Sequence, residues 1–187
     1  MNYQEEICAS ITCMALPKDY TGEGCSLARA LEVVGERWTL LIVRDAFFGV
    51  RRFSDFAAHL DIPRAVLTHR LAALVEADVL AVLPGSHGHD EYGLTGKGLD
   101  LWPVVRNLLT WGDEYYSAAG PRRLFRHAVD DGAVAPDGVC AACGALVPVA
   151  DMTVVPGPGW AARPGKTDVV SAAMSAPHRL LTSVRSG

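Results

Sequence analysis

The sequence predicts a mainly α, α+β fold, in which a helix-turn-helix pair is closed by a β-hairpin, flanked by further helices and followed by a small β-rich C-terminal extension. Three observations carry this. Arg51 to Tyr92 holds two apolar-periodic segments, Phe53 to Leu60 and Pro63 to Ala77, and the second sets Val66, Leu67, Leu71 and Leu74 on one face. The join Asp61-Ile62-Pro63 is too short for helices lying side by side, and it offers a capping carboxylate followed by a proline suited to a first turn. Beyond them Val79 to Leu83 is β-prone, Pro84 to Asp90 is turn chemistry, and Glu91 to Leu94 returns as a strand. A helix pair followed by such a hairpin is a winged helix-turn-helix.

The remaining elements follow in chain order. Residues 1–24 show no sustained period and are expected to form a loose arm, with a short helix near Glu5 to Cys13. Cys25-Ser26 opens a helix with Ser26 as N-cap and Leu27, Ala30, Leu31 and Val34 as its apolar face, ended by Gly35. Glu36 to Phe48 forms a second helix, with Trp38, Leu41, Ile42, Asp45 and Phe48 at three- and four-residue spacing. After the hairpin a long helix runs from Thr95 to about Ala118, with Pro103 near enough its start to be tolerated. Its apolar stripe, Leu99, Trp102, Val105, Leu109, Gly112 and Tyr116, is wide enough to need two partners, its own domain and a second copy of the chain. From Gly120 proline and glycine become dense, with β-prone pieces at Val134, Val139, Ala145 to Val149 and Met152 to Val155. The expected organisation is therefore an arm (1–24), a winged-helix and dimerisation domain (25–119), a β-rich region (120–160) and a tail (161–187) with one strand at Asp168 to Ser171.

Bulk properties exclude several classes. The longest apolar run, Thr39 to Val43, cannot cross a bilayer, and MNYQEEIC is acidic where a signal peptide is basic, so a cytoplasmic protein without a membrane partner is expected. Five cysteines in that compartment are reduced, metal-bound or redox-sensing rather than a closed disulfide set. The net charge of −4 argues against nucleic acid only globally. Residues 1–25 sum to −3, whereas Arg51 to Arg70 sum to +2, and phosphate binding needs a local basic face because charge is screened beyond about 8–10 Å. That face is modest, so any binding of double-stranded DNA is expected at moderate affinity per protomer and with a need for dimerisation.

In order along the chain stand a cysteine-led first helix, Gly35-x-x-Trp38-Thr39-x-x-Ile42, Arg52-Phe53-Ser54-x-Phe56, Leu67-Thr68-x-Arg70-Leu71 and Glu91-Tyr92-x-Leu94-Thr95-x-Lys97-Gly98. With the Trp111-Gly-Asp-Glu-Tyr-Tyr116 helix, this set resembles the HxlR family of bacterial transcription regulators, relatives of the MarR group, over about Cys25 to Tyr116. The resemblance implies a homodimeric winged helix that binds a pseudo-palindromic operator, commonly as a repressor released by electrophiles, oxidants or small ligands.

Side-chain chemistry then nominates sites. With the leucines of Pro63 to Ala77 inward, Arg64, Ala65, Thr68 and His69 face the groove or else a solvated surface; Arg can read guanine and Thr a phosphate or a thymine methyl. Arg70 either joins them or makes a structural ion pair. Ser54, as N-cap of the preceding helix, Arg52 and Lys97 are phosphate contacts, and His87 and His89 are the wing candidates. The resemblance implies an arginine where His89 stands; a histidine is mostly neutral at pH 7, so the wing contributes little or strengthens in acid. Cys25, at a helix N-terminus where the dipole favours thiolate, matches the position of the sensor cysteine in several relatives, or is a packing residue; Cys8 and Cys13 are resolving-thiol candidates. Trp38, Trp102, Trp111, Tyr115 and Tyr116 line an effector cavity or simply pack.

Cys140-Ala-Ala-Cys143-Gly144 is a CxxCG knuckle, half of a tetrahedral metal site. Longer members of the family resemble a zinc ribbon with His-x-x-Cys-Gly upstream; here the upstream cysteine is missing, and His127 with Asp130 or Asp131 remains to complete a zinc set. A ribbon remnant without metal and an oxidisable dithiol are the alternatives. DNA reading itself requires no cofactor. No convergent base and orienting partner marks an enzyme, so a transcription regulator is expected, with a protein-interaction module that has lost DNA binding as the contrasting class.

Overall fold

The computed structural model describes residues 24–85, 88–161 and 165–185. The chain divides into two units, the first ending at Glu36 and the second running from Arg37. In the first unit lies helix α1, Ser26–Val34. Cys25 rather than Ser26 is its N-cap, in extended backbone and without a side-chain cap, because the helix starts one residue earlier than a hydroxyl cap requires. The arm expected over residues 1–24, with Cys8 and Cys13, lies outside the described residues apart from Gly24.

The second unit opens with α2, Thr39–Phe47, then α3, Phe53–Leu60, and α4, Arg64–Glu76. Asp61 closes α3 in the left-handed conformation (φ 54°), the geometry that a short polar side chain tolerates, and Pro63 enters α4 as its N-cap. The tight join expected between these helices is therefore made by one αL residue and one proline. Leu67, Leu71 and Leu74 of α4 are buried, as are Ile42 and Phe47 of α2 and Phe56 of α3, each side chain contributing about 1.5–3 kcal/mol by leaving water. The wing is a two-stranded antiparallel hairpin, β1 Leu80–Pro84 and β2 Asp90–Leu94, with Val82 opposite Tyr92. A further backbone bond from the Tyr92 amide to the Arg51 carbonyl (2.8 Å) fastens β2 to the segment before α3.

The long helix is broken in two, α5 Gly96–Leu99 and α6 Trp102–Tyr116, with the break at Asp100 and Leu101 just ahead of Pro103, whose missing N–H is harmless in a first turn. On α6 only Trp102 and Val105 are buried; Val104, Leu108, Trp111, Tyr115 and Tyr116 are exposed. Trp102 packs between Phe47 (5.0 Å between centroids) and Phe125 (5.4 Å), so one aromatic core joins the helices to the C-terminal sheet.

This sheet has three antiparallel strands in the order β3 Arg123–His127, β4 Met152–Pro156 and β5 His178–Arg179, with His127 opposite Met152 and Val154 opposite His178. The expected strand at Asp168 to Ser171 is instead a short helix, α7 Val169–Ala173, because Asp168 caps it by accepting from the Ser171 amide (2.9 Å). Residues 161–187 thus supply a helix and a strand, and Val170, Met174 and Leu180 are buried. The last described residues fold back on the helix-turn-helix: Leu181 donates to the Phe47 carbonyl, Val184 to that of Gly49, Arg51 to that of Leu181, and the Arg185 guanidinium grips buried Asp55 at 2.5 and 2.7 Å.

Candidate functional site

The outward face of α4 is polar and open. Arg64, Ala65, Thr68 and His69 are exposed while Leu67 and Leu71 on the opposite face are buried, so the two faces separate as the periodicity requires. The Arg64 guanidinium lies 4.9 Å over the Phe53 ring, which holds its aliphatic stem near the start of α3 and leaves its N–H fork available. The Thr68 hydroxyl donates to the Arg64 carbonyl (2.9 Å), one turn back, and its oxygen keeps acceptor capacity. Arg70 is half-buried beside this face.

Other nominated side chains are engaged elsewhere. Ser54 lies inside α3, where Arg52 is the N-cap, and its hydroxyl meets Asp55 at 3.4 Å, so it does not cap the helix; the extended turn at Arg52 starts α3 two residues earlier. Arg52 pairs with Glu91 of β2 at 3.3 Å, an ion pair between wing and helix. Lys97 donates to the Ala77 carbonyl (2.7 Å) at the C-terminal end of α4, and Thr95 donates to that of Asp78 (2.6 Å) while accepting from the Gly98 amide. These contacts fix how α4 sits on the wing. His89 is exposed at the hairpin, and His87 lies outside the described residues.

The aromatic residues nominated for an effector cavity do not line a common one, although the Trp111 ring meets those of Tyr115 (5.5 Å) and Tyr116 (5.3 Å) on the exposed side of α6. Trp38 lines a cavity of about 590 Å³ with Arg44, His59, Arg122, Arg123 and Trp160; Trp102 borders a smaller one of about 260 Å³ with Leu146; Trp111 and Tyr115 are exposed. The larger cavity has a cationic wall. Burial, followed by repulsion from Arg44 and Arg122, lowers the Arg123 guanidinium to about 10. Periodicity could not reveal this wall, since its arginines come from α2, the approach to β3 and β3 itself.

Beside that cavity His59 on α3 meets Asp168 at 3.1 Å and Ser171 at 3.4 Å. These are the residue types of a hydrolytic triad, but both approach the same ring nitrogen, Nδ1. A relay needs the carboxylate on one nitrogen and the hydroxyl on the other, so the trio pins α7 to α3.

Cys25 is a free, exposed thiol at the start of α1. In the C-terminal sheet His127, Asp130, Cys140 and Cys143 converge, with one donor atom from each within 4.8 Å of all the others. Asp130, not Asp131, is the carboxylate brought in; Asp131, the next residue, makes the turn at φ 55°. Hydrogen bonds from the Cys143 thiol and the Gly132 amide hold the Asp130 carboxyl down to about 2. The Ala145 amide opposes a rise at Cys143, but hydrogen bonding to Asp130 and burial leave that thiol above its ordinary value.

A helix pair with an exposed polar second helix and a following hairpin is the shape that comparison with known proteins then identifies. Residues 33–119 match the HxlR-like helix-turn-helix model. Over 144 residues, 75% of this chain and 91% of the relative, the sequence is 45% identical to the uncharacterized HTH-type transcriptional regulator Rv3095 of Mycobacterium tuberculosis (strain ATCC 25618 / H37Rv). The chain belongs to the HxlR-like family of transcriptional regulators. The uncharacterized HTH-type regulator YvaP of Bacillus subtilis (strain 168) is 33% identical over 90 residues, 46% of this HxlR-like chain and 83% of the relative. The crystal structure of PA1607, named as a candidate transcription factor, superposes with a TM-score of 0.50 and 35% identity over 77% of this chain and 92% of its own. These matches make the HxlR-like chain a helix-turn-helix transcriptional regulator and not an enzyme, and membership implies DNA binding. Among the described residues no helix is long and apolar enough to cross a membrane.

Proposed function

We propose that the chain is a cytoplasmic, homodimeric repressor that reads a pseudo-palindromic operator and releases it on a thiol-directed or small-molecule signal. The observation that carries this reading is the open polar face of α4, with Arg64, Thr68 and His69 exposed over a leucine-buried opposite face. Arg64 reads a base edge from the major groove, and the basic surface around it supplies the salt-sensitive part of the affinity. Dimerisation is supported by α6, whose exposed Val104, Leu108, Trp111 and Tyr115 follow the four-three-four spacing of a helix seam. For the signal, the exposed free thiol of Cys25 suits oxidants and electrophiles, and the arginine-walled cavity suits a small anion with an apolar body.

Gel-shift titration against the DNA upstream of the chain's own operon tests this. A sequence-preferring complex that weakens steeply with salt is expected, and diamide is expected to release it from the parent but not from Cys25→Ser. Absence of any sequence-preferring, salt-sensitive complex overturns DNA reading and leaves a protein-docking role for the winged helix. Release of Cys25→Ser by diamide removes that thiol as sensor.

A further inference from the structure

The cluster in the C-terminal sheet is unused by DNA reading, and four features of its geometry belong together. Cys143 Sγ lies 3.5 Å from His127 Nδ1, Cys140 Sγ lies 3.4 and 3.6 Å from the two Asp130 oxygens, and His127 Nδ1 lies 3.1 Å from Asp130 Oδ1. We propose that His127, Asp130, Cys140 and Cys143 form a structural zinc site. Zinc bonds of about 2.3 Å to sulfur and about 2.0–2.2 Å to nitrogen or oxygen, set at tetrahedral angles, put donor atoms about 3.4–3.8 Å apart. The observed edges fall within a few tenths of an ångström of that figure, and every pair lies within 4.8 Å. Both thiols are free, so no disulfide competes for the sulfurs.

The backbone around the cluster is arranged as a ligand cradle. Cys140-Ala-Ala-Cys143-Gly144 closes through a bond from the Gly144 amide to the Cys140 carbonyl (2.9 Å), with Gly144 at φ 71°, where a side chain is disfavoured. The Ala145 amide hydrogen-bonds the Cys143 sulfur and so fixes where the knuckle holds it. On the other side the Gly132 amide donates to Asp130 (2.9 Å) and orients its carboxylate. A Cβ at Gly132 would collide with the Cys140 sulfur, so glycine leaves room for the sulfur to turn inward.

A staple is also what this region lacks otherwise. Among residues 128–148 only Gly132, Val134, Cys140 and Val147 are buried, and the backbone is tied by isolated bridges at Arg126 to Ala133, Val134 to Cys140 and Val139 to Leu146. So little core cannot hold some twenty residues of irregular chain, and metal binding commonly supplies the missing free energy in segments of this size. Two thiolates, one imidazole and one carboxylate are a soft, closed set of four, which selects zinc and leaves no open position for catalysis.

The test uses full-length protein purified under reducing conditions from zinc-supplemented medium. Elemental analysis is expected to find about one zinc per chain, and cobalt(II) exchanged into the chelated protein is expected to give sulfur-to-metal charge transfer and the intense visible bands of a tetrahedral site. Cys143→Ser, at an exposed position, leaves Cys140 as the one thiolate and at least halves the charge transfer while weakening zinc, and Asp130→Asn weakens zinc at least about tenfold, while a Cys8→Ser, Cys13→Ser, Cys25→Ser triple variant keeps full metal content. Substoichiometric zinc with no charge-transfer band, a Cys140 to Cys143 disulfide in the purified protein, or unchanged affinity in Cys143→Ser overturns the site. Metal content is read without operator DNA, so failure of DNA reading leaves the outcome unaffected.

Discussion

Arg64 and Lys97 are both exposed cations near the reading helix, yet their surroundings assign them different work. Arg64 is stacked on Phe53 with its guanidinium N–H groups open, whereas Lys97 donates to the Ala77 carbonyl at the end of α4. Arg64→Ala is expected to weaken the specific complex by about 1–3 kcal/mol and relax preference at one base pair. Lys97→Ala is expected to lower stability by about 0.5–1 kcal/mol and change sequence preference little. Anisotropy titrations on matched operator variants and urea unfolding measure the pair; equal loss of specificity in both would refute the assignment. Arg64, Thr68 and His69 were legible in the sequence because helical period alone sorts outward from inward positions. Ser54 and Lys97 were not, since capping depends on which residue first leaves extended backbone and on carbonyls that approach through space.

At the scale of elements, two short connections bear much of the stability. Gly49 follows α2 at φ 86°, and a Cβ there would strike the Thr182 carbonyl of the C-terminal segment. Gly49→Ala therefore combines a disfavoured conformation with a backbone collision and is expected to cost at least about 2 kcal/mol, read as a fall in the urea midpoint. Asp168 caps α7 and meets His59 of α3; burial raises its carboxyl, but hydrogen bonds from Ser171 and the charge of His59 outweigh this and lower it. A carboxylate held below its unfolded value of about 3.9 stabilises the fold above that pH, and the contribution disappears as pH falls through the lower folded value. Asp168→Ala should cost about 0.5–2 kcal/mol at pH 7 and much less near pH 2, and an equal loss at both pH values would show that the carboxylate charge is irrelevant. The sequence announced α3, α4 and the hairpin through strong periodicity and turn chemistry. It concealed α7, where three β-branched or small residues read as a strand until a carboxylate cap and a buried valine select a helix.

For the whole molecule, the distribution of apolar surface decides assembly. Trp102 and Val105 complete the interior of one chain, whereas Leu108, Trp111 and Tyr115 of the same helix are exposed and form the seam of the proposed dimer. Trp111→Glu is expected to shift the protein to monomer in sedimentation velocity and to weaken operator binding at least about tenfold, because each protomer alone offers only a modest basic face. An unchanged dimer in that variant would place the interface elsewhere. The width of the α6 stripe was visible in the sequence, but the split between inner and outer residues required the aromatic stack from Phe47 through Trp102 to Phe125.

The grip of Arg185 on Asp55 joins positions 130 residues apart, and Leu181 and Val184 reach back over a similar span to Phe47 and Gly49. During synthesis the reading helices are made long before the segment that braces them. Closing so long a loop carries an entropic cost that the local turns of α3 and α4 do not, so the clasp is expected to order after those helices, which native-state hydrogen exchange on Leu181 and Val184 would read as weaker protection than on α4.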